Sequence, residues 1–223
     1  MLRKQAVTFL LFALSVVLFA QEKDSTLLSI ERIFASRDFV GERFSPARWL
    51  GDGSAYTTLE KSEAVGNAQD IVRYDTRTGE RSVLVSASAF TPKGDTVALS
   101  LDNYEWSPDN QLLLIFTNSA RVWRQNTRGD YWLLHLKSGE LKKLGRQAPP
   151  AGMMFCKFSP DNRKVAYVSE NNIYVEDVSS GEVRQLTLDG SRTVINGTFD
   201  WVYEEELDLR DGFRWSPDSR TIA

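Results

Sequence analysis

Trp106-Ser107-Pro108-Asp109-Asn110 recurs as Phe158-Ser159-Pro160-Asp161-Asn162 and again as Trp215-Ser216-Pro217-Asp218-Ser219, after a degenerate first copy, Trp49-Leu50-Gly51-Asp52-Gly53. The aromatic positions are 57, 52 and 57 residues apart, and an apolar, strand-like run follows, such as Leu112 to Phe116 or Val165 to Val168. A second mark keeps step with the first. Gly79-Glu80 with Leu84, Gly139-Glu140 with Leu144, and Gly181-Glu182 with Leu186 share the spacing G-E-x-x-x-L. Each follows an alternating or aromatic-rich strand: Ile71 to Asp75, Tyr131 to Leu136, and Asn172 to Asp177. Both marks are turn chemistry, the proline presetting φ and the glycine accepting positive φ.

A repeat of about 50 residues holding several short strands is the pattern of propeller blades. No long segment of helical period intervenes, which excludes a helical solenoid or a parallel α/β sheet. The predicted fold is therefore all-β, with about three blades plus the start of a fourth, because the sequence stops at Thr221-Ile222-Ala223 in the first strand after the last Ser-Pro-Asp. The Ser-Pro-Asp element resembles the blades of TolB-type and prolyl-oligopeptidase-family propellers more than WD-repeats.

Composition agrees with a globular chain: 223 residues, 42% apolar and 11% aromatic. The net charge of −3, or −5 without Arg3 and Lys4, argues against a nucleic-acid partner, and no basic stripe appears. Residues 1–20 read as a separate unit, with Arg3 and Lys4 ahead of an apolar stretch from Ala6 to Ala20. That length suits a secretory signal peptide better than a bilayer span. The expected location is outside the cytoplasm, in the periplasm or cell envelope, with anchoring by residues 5–20 as the alternative. The expected organisation is a signal segment at 1–20, a lead-in at 21–45 and the partial propeller at 46–223. Cys156 is the only cysteine, so no intrachain disulfide forms, and it reads as a small buried hydrophobe.

The chemistry concentrates in Asp200-Trp201-Val202-Tyr203-Glu204-Glu205-Glu206. Successive side chains of a strand point to opposite faces, so neighbouring glutamates converge on one ligand only from a helical turn, bulge or loop. Asp200 is a good helix N-cap, and carboxylates in the first turn suit the helix dipole. Like charges this close repel, and a bound ammonium relieves that repulsion. A peptide α-amine, with a reference pKa of about 7.7 to 8, is mostly protonated at neutral pH.

This run closely resembles the Asp-Trp-x-Tyr-Glu-Glu-Glu signature of the dipeptidyl peptidase IV family, and the resemblance extends from Leu28-Ser29-Ile30-Glu31-Arg32-Ile33-Phe34 to the end of the chain. In that family the last two glutamates hold the free amino terminus of a peptide, which here implies Glu205 and Glu206. A second point of resemblance is Val122-Trp123-Arg124, in the one repeat whose two marks lie 33 residues apart where the next pair lie 23 apart. The extra residues are expected to form a loop reaching from the propeller towards the active-site cavity. The resemblance gives Arg124 a substrate backbone carbonyl, a role that suits a guanidinium's fixed fork of donors. The family often has His after that arginine; this chain has Gln125.

The resemblance further implies an eight-bladed propeller followed by an α/β-hydrolase domain, of which this chain holds only the first part. The expected function is then substrate recognition for an exported serine dipeptidyl peptidase that removes X-Pro or X-Ala dipeptides from peptides with a free N-terminus. No catalytic residue is expected within the chain: its one histidine, His135, lies in a strand, and no G-x-S-x-G elbow is present. One Cys and one His cannot make a zinc site, the D-x-D-x-D-G calcium spacing is absent, and no cofactor is expected. The expected partners are peptide substrates and the hydrolase domain, with a homodimer left open. The alternative reading is a non-catalytic, TolB-like envelope propeller that binds a protein or glycan.

Overall fold

The computed structural model describes residues 26–41 and 46–223. The expected signal segment lies outside the described residues. Two units divide the chain, Met1–Arg43 and Phe44–Ala223. In the first, a single π-helical turn at Glu31–Ala35 is followed by an ion pair between Arg32 and Asp38 at 2.8 Å, with the Arg32 guanidinium also 5.3 Å from the centre of the Phe39 ring.

In the second unit the repeat read from the sequence becomes a succession of four-stranded antiparallel meanders. The first is β1 (Arg48–Trp49), β2 (Ala55–Lys61), β3 (Gln69–Asp75) and β4 (Arg81–Val85), hydrogen-bonded in that order. The next is β5 (Asn103–Trp106), β6 (Leu112–Val122), β7 (Gln125–His135) and β8 (Glu140–Lys143). The third is β9 (Met153–Phe158), β10 (Lys164–Ser169), β11 (Asn172–Asp177) and β12 (Val183–Gln185). A bridge from Trp215 to Ile222 opens a fourth. The fold is thus all-β and propeller-like.

Each aromatic mark ends the first strand of a blade, and the turn after it is built the same way three times. The Ser107 hydroxyl donates to Asp109 Oδ1 at 2.6 Å and accepts from the Leu112 amide at 2.9 Å, and Asn110 adopts φ 57°. Ser159 repeats this with Asp161 and the Lys164 amide, and Ser216 with Asp218 and the Thr221 amide. The degenerate copy has Leu50 in the serine position and relies on Gly53 at φ 69°. The second mark is the turn between third and fourth strands, with Gly79, Gly139 and Gly181 at φ 71–72°. There Asp75 Oδ1 accepts from the Thr78 and Arg77 amides, and Asp177 Oδ1 from those of Ser180 and Ser179. The Thr78 amide and hydroxyl on Asp75, and the Ser179 hydroxyl with the Ser180 amide on Asp177, hold both carboxyl pKa values at about 2. His135 occupies the equivalent position of the middle blade, its carbonyl accepting from the Gly139 amide at 2.8 Å.

Alternation along the central strands places a core on each side of a blade. Leu113 and Ile115 of β6 join Leu59, Ile71 and Tyr104 between the first two blades, while Leu112 and Leu114 join Cys156, Val165 and Tyr167 between the second and third. Ala166 and Val168 face Phe213 and Trp215 beyond. Cys156 is buried as expected, and burial pushes its thiol up well above the ordinary range. One polar tie crosses the first core: Thr57 Oγ1 accepts from Trp106 Nε1 and lies 2.9 Å from the Tyr104 hydroxyl.

Candidate functional site

The residues expected between the marks of the middle blade do not form a loop. They lengthen β6 and β7 to 11 residues each, and Val122 pairs with Gln125, leaving Trp123-Arg124 as a two-residue turn at the tip. Strand pairing, interrupted between Thr117 and Arg121, satisfies much of the backbone along the arm, which a free loop of that length would leave to water. Trp123 takes φ 52°, and its carbonyl accepts from Arg121 Nε at 2.8 Å, so the tip is fixed on one side by its own stem.

The acidic run is the helix α1 (Trp201–Leu207). Asp200 caps it, its Oδ1 accepting from the Val202 amide at 3.0 Å and the Tyr203 amide at 3.2 Å, and Asp208 ends it at φ 54°. Below the helix the chain is pinned by a bridge from Thr198 to Asp211 and by the Phe199 amide donating to the Arg210 carbonyl at 3.0 Å. The Phe199 and Tyr203 rings stack at 5.1 Å. Asp211 in turn pairs with Lys157 of β9 and Arg214, which anchors this excursion to the third blade.

A helical residue is rotated about 100° from the one before it, so Glu205 and Glu206 are neighbours on one side while Glu204 and Glu206 diverge. Glu204 is buried, Glu205 partly buried and Glu206 exposed. Glu205 Oε2 receives Arg124 Nη2 at 2.7 Å, joining the tip of the hairpin to the helix. The two ends of this pair differ: the Glu205 side chain is 9% exposed and that of Arg124 71%. The second oxygen, Glu205 Oε1, is buried and unpaired, as is Glu204 Oε1. Glu206 takes part in no ion pair among the described residues.

The structure therefore brings Arg124 and Glu205 into contact and sets Glu206 beside them on the helix, open to solvent. Together they present a free carboxylate and a largely exposed arginine side chain beside a second carboxylate whose unpaired oxygen is buried. Such an array can take up a small group carrying a cation and, next to it, a carbonyl oxygen. Gln125, directly after Arg124, lines a separate cavity of about 570 Å³ with Asn103, Glu105, Phe155 and Lys157. Among the described residues no three His, Cys, Asp or Glu side chains converge as metal ligands do. Sequence reasoning did not find Asp130 and Asn118, which meet at the base of the hairpin, Asn118 Nδ2 donating to Asp130 Oδ2 at 2.9 Å. The one sequence signal was an Asn and an Asp within the unusually long repeat.

The profile of the dipeptidyl peptidase IV N-terminal region matches residues 107–223, which include Arg124, Glu205 and Glu206. Dipeptidyl aminopeptidase B of Saccharomyces cerevisiae is 36% identical over 144 residues, 64% of this chain and 17% of that protein. Dipeptidyl peptidase 4 of Sus scrofa is 28% identical over 214 residues, 93% of this chain and 26% of that protein. Among solved structures, Porphyromonas gingivalis dipeptidyl peptidase 4 superposes with a TM-score of 0.75 at 27% identity, covering 87% of this chain and 27% of that one. The chain spans between 17 and 26% of the length of these two curated relatives.

Proposed function

Since the chain belongs to the dipeptidyl peptidase IV family, as part of its N-terminal region, we propose that it is the substrate-recognition portion of an exported serine dipeptidyl peptidase, which removes X-Pro or X-Ala dipeptides from peptide N-termini. The observation that carries this reading is the 2.7 Å pair between Arg124 and Glu205, because it joins two residues that the resemblance had assigned to adjacent atoms of one substrate. The peptide ammonium, with three donors, is shared between the Glu205 and Glu206 carboxylates. Arg124 keeps Nη2 on Glu205 and turns its other donors to the carbonyl of the first residue.

The division of charge suits an amine. Arg124 offsets Glu205, and Glu206 supplies the net negative charge that a cationic ligand requires. Fixing the amine at a set distance from a nucleophile is what limits cleavage to the second peptide bond, a matter of positioning. The nucleophile and base are supplied outside these residues, by an α/β-hydrolase domain, since the only histidine is the strand residue His135.

The test compares two polypeptides on Gly-Pro-anilide. The full-length gene product releases the chromophore and is silenced by a serine-directed organophosphate, whereas the purified 223-residue chain releases none. Activity of the 223-residue chain alone, or a full-length product indifferent to the inhibitor, would refute the proposal.

A further inference from the structure

The arm that carries Arg124 is bent at its base. Its pairing shifts between Thr117 and Ala120 and again between Ala120 and Arg121, and Asn118 sits in the bulge at φ 49°. Asp130, which pairs with Thr117 across the ladder, is buried against this bulge. Its Oδ2 accepts from Asn118 Nδ2 at 2.9 Å, while its Oδ1 accepts from the Ala151 amide at 3.0 Å and lies 3.2 Å from Lys143 Nζ. One carboxylate thus joins the bulge in β6, the end of β8 and the loop that enters β9. Beside it, a Cβ on Gly129 would meet the Phe116 ring at 2.4 Å and the Thr117 carbonyl at 2.8 Å, so the strands are pressed together at this point. The base is also held from both sides. The Ser119 amide donates to Asp102 Oδ2 at 3.0 Å and Thr117 Oγ1 to the Ser100 carbonyl at 2.6 Å, and Arg128 and Gly129 pair with Met154 and Met153 of the next blade.

We propose that Asp130 is a positioning residue for substrate binding: by fixing the bulge at Asn118 it sets the direction of the arm, and so the place where the Arg124 guanidinium meets Glu205. The proposal rests on the reading of Arg124 and Glu205 as substrate ligands. Asp130 stands six residues along β7 from Arg124, up to about 20 Å at strand spacing, too far to touch a group bound at the tip. Its action is through the arm. A carboxylate is what the junction demands, since donors from three segments converge on two oxygens. Bulges are known to re-aim side chains in this manner, and the length of the arm turns a small change of angle at the base into a displacement at the tip.

The test uses the full-length polypeptide with Asp130→Ala, Asp130→Asn and Asn118→Gly, each alone and on Arg124→Ala. Asp130→Ala is expected to lower kcat/KM for an X-Pro amide by about tenfold, mainly through KM, as misplacement by a fraction of an ångström does. On the Arg124→Ala background the same change should have no further effect. Asp130→Asn, which keeps the shape but only one acceptor oxygen and sets its amide nitrogen against a donor, should fall between wild type and Asp130→Ala. Hydrogen exchange of the amides at 122–126 should quicken in Asp130→Ala and stay slow in the β10–β11 hairpin. Losses that multiply with Arg124→Ala, or unchanged exchange at the tip in a folded variant, overturn the proposal. Should Asp130→Ala not fold, Asn118→Gly carries the same expectations, because glycine keeps the left-handed bulge without the amide. If Arg124→Ala itself leaves kcat/KM unchanged, the substrate reading fails, and the exchange measurement alone decides whether Asp130 directs the arm.

Discussion

Arg124 and Glu205 form an ion pair whose two halves sit in different media. The glutamate is nearly enclosed and the arginine stands in water, so the pair's own worth to stability is small, under about 1 kcal/mol as for exposed pairs. On the proposed reading its value lies in orientation: Glu205 keeps one oxygen on Arg124, while the other is buried without a partner. On the same reading, truncating the arginine removes a carbonyl ligand but leaves the two carboxylates assigned to the amine in place. Arg124→Ala in the full-length enzyme should therefore lower kcat/KM by roughly one order of magnitude, the range of a hydrogen bond to a charged group, without abolishing turnover. A melting temperature within a few degrees of wild type would accompany it. Loss of all activity in a folded Arg124→Ala protein would mean that the arginine does more than orient a carbonyl. The burial of Glu204 has a plain cause at this scale, since helix geometry turns it away from Glu206. The resemblance assigned the amine to the last two glutamates, and the helix places those two on neighbouring faces.

Among the elements, the Ser-Pro-Asp turns are the most uniform. Ser159 is fully buried, and its hydroxyl bonds Asp161 and the Lys164 backbone at once. Ser159→Ala leaves that amide and carboxylate short of a partner, at a cost of about 1 to 3 kcal/mol. Thermal or urea unfolding should show the loss, and Ser216→Ala, at an exposed turn, should show less. A Ser159→Ala protein as stable as wild type would mean that water replaces the hydroxyl. These turns were legible in the sequence because each depends on residues within five positions of one another. So were the strand ends beside them: β11 begins at Asn172 and ends at Asp177 as the second mark implies, and β7 ends at His135, one residue short of the expected Leu136. The arm was legible only as an excess of residues. Whether those residues pair with each other or form a loop depends on the bulge at Asn118 and on Gly129 against Phe116, contacts that no local pattern announces.

Across the whole molecule, blade follows blade because each central strand feeds two cores. Leu113 and Leu114, adjacent in β6, belong to different clusters, and so do Val165 and Ala166 in β10. The period of the aromatic marks carried this architecture openly, since one mark closes the first strand of every blade. Asp130 was not legible, because its partners Asn118, Lys143 and Ala151 come together only when blades two and three are side by side. The proposed amine site is likewise assembled across blades, from the tip of the second and the helix beyond the third. Its most direct test is the ratio of kcat/KM for Gly-Pro-anilide to that for its N-acetylated form, measured in full-length wild type, Glu205→Gln and Glu206→Gln. An ionic hydrogen bond is worth about 1.5 to 3 kcal/mol, so each substitution should cut the ratio by roughly one to two orders of magnitude, through the free-amine substrate alone. A ratio unchanged in both folded variants would contradict the account and leave Glu205 as a structural partner of Arg124 and Glu206 as a solvated surface carboxylate.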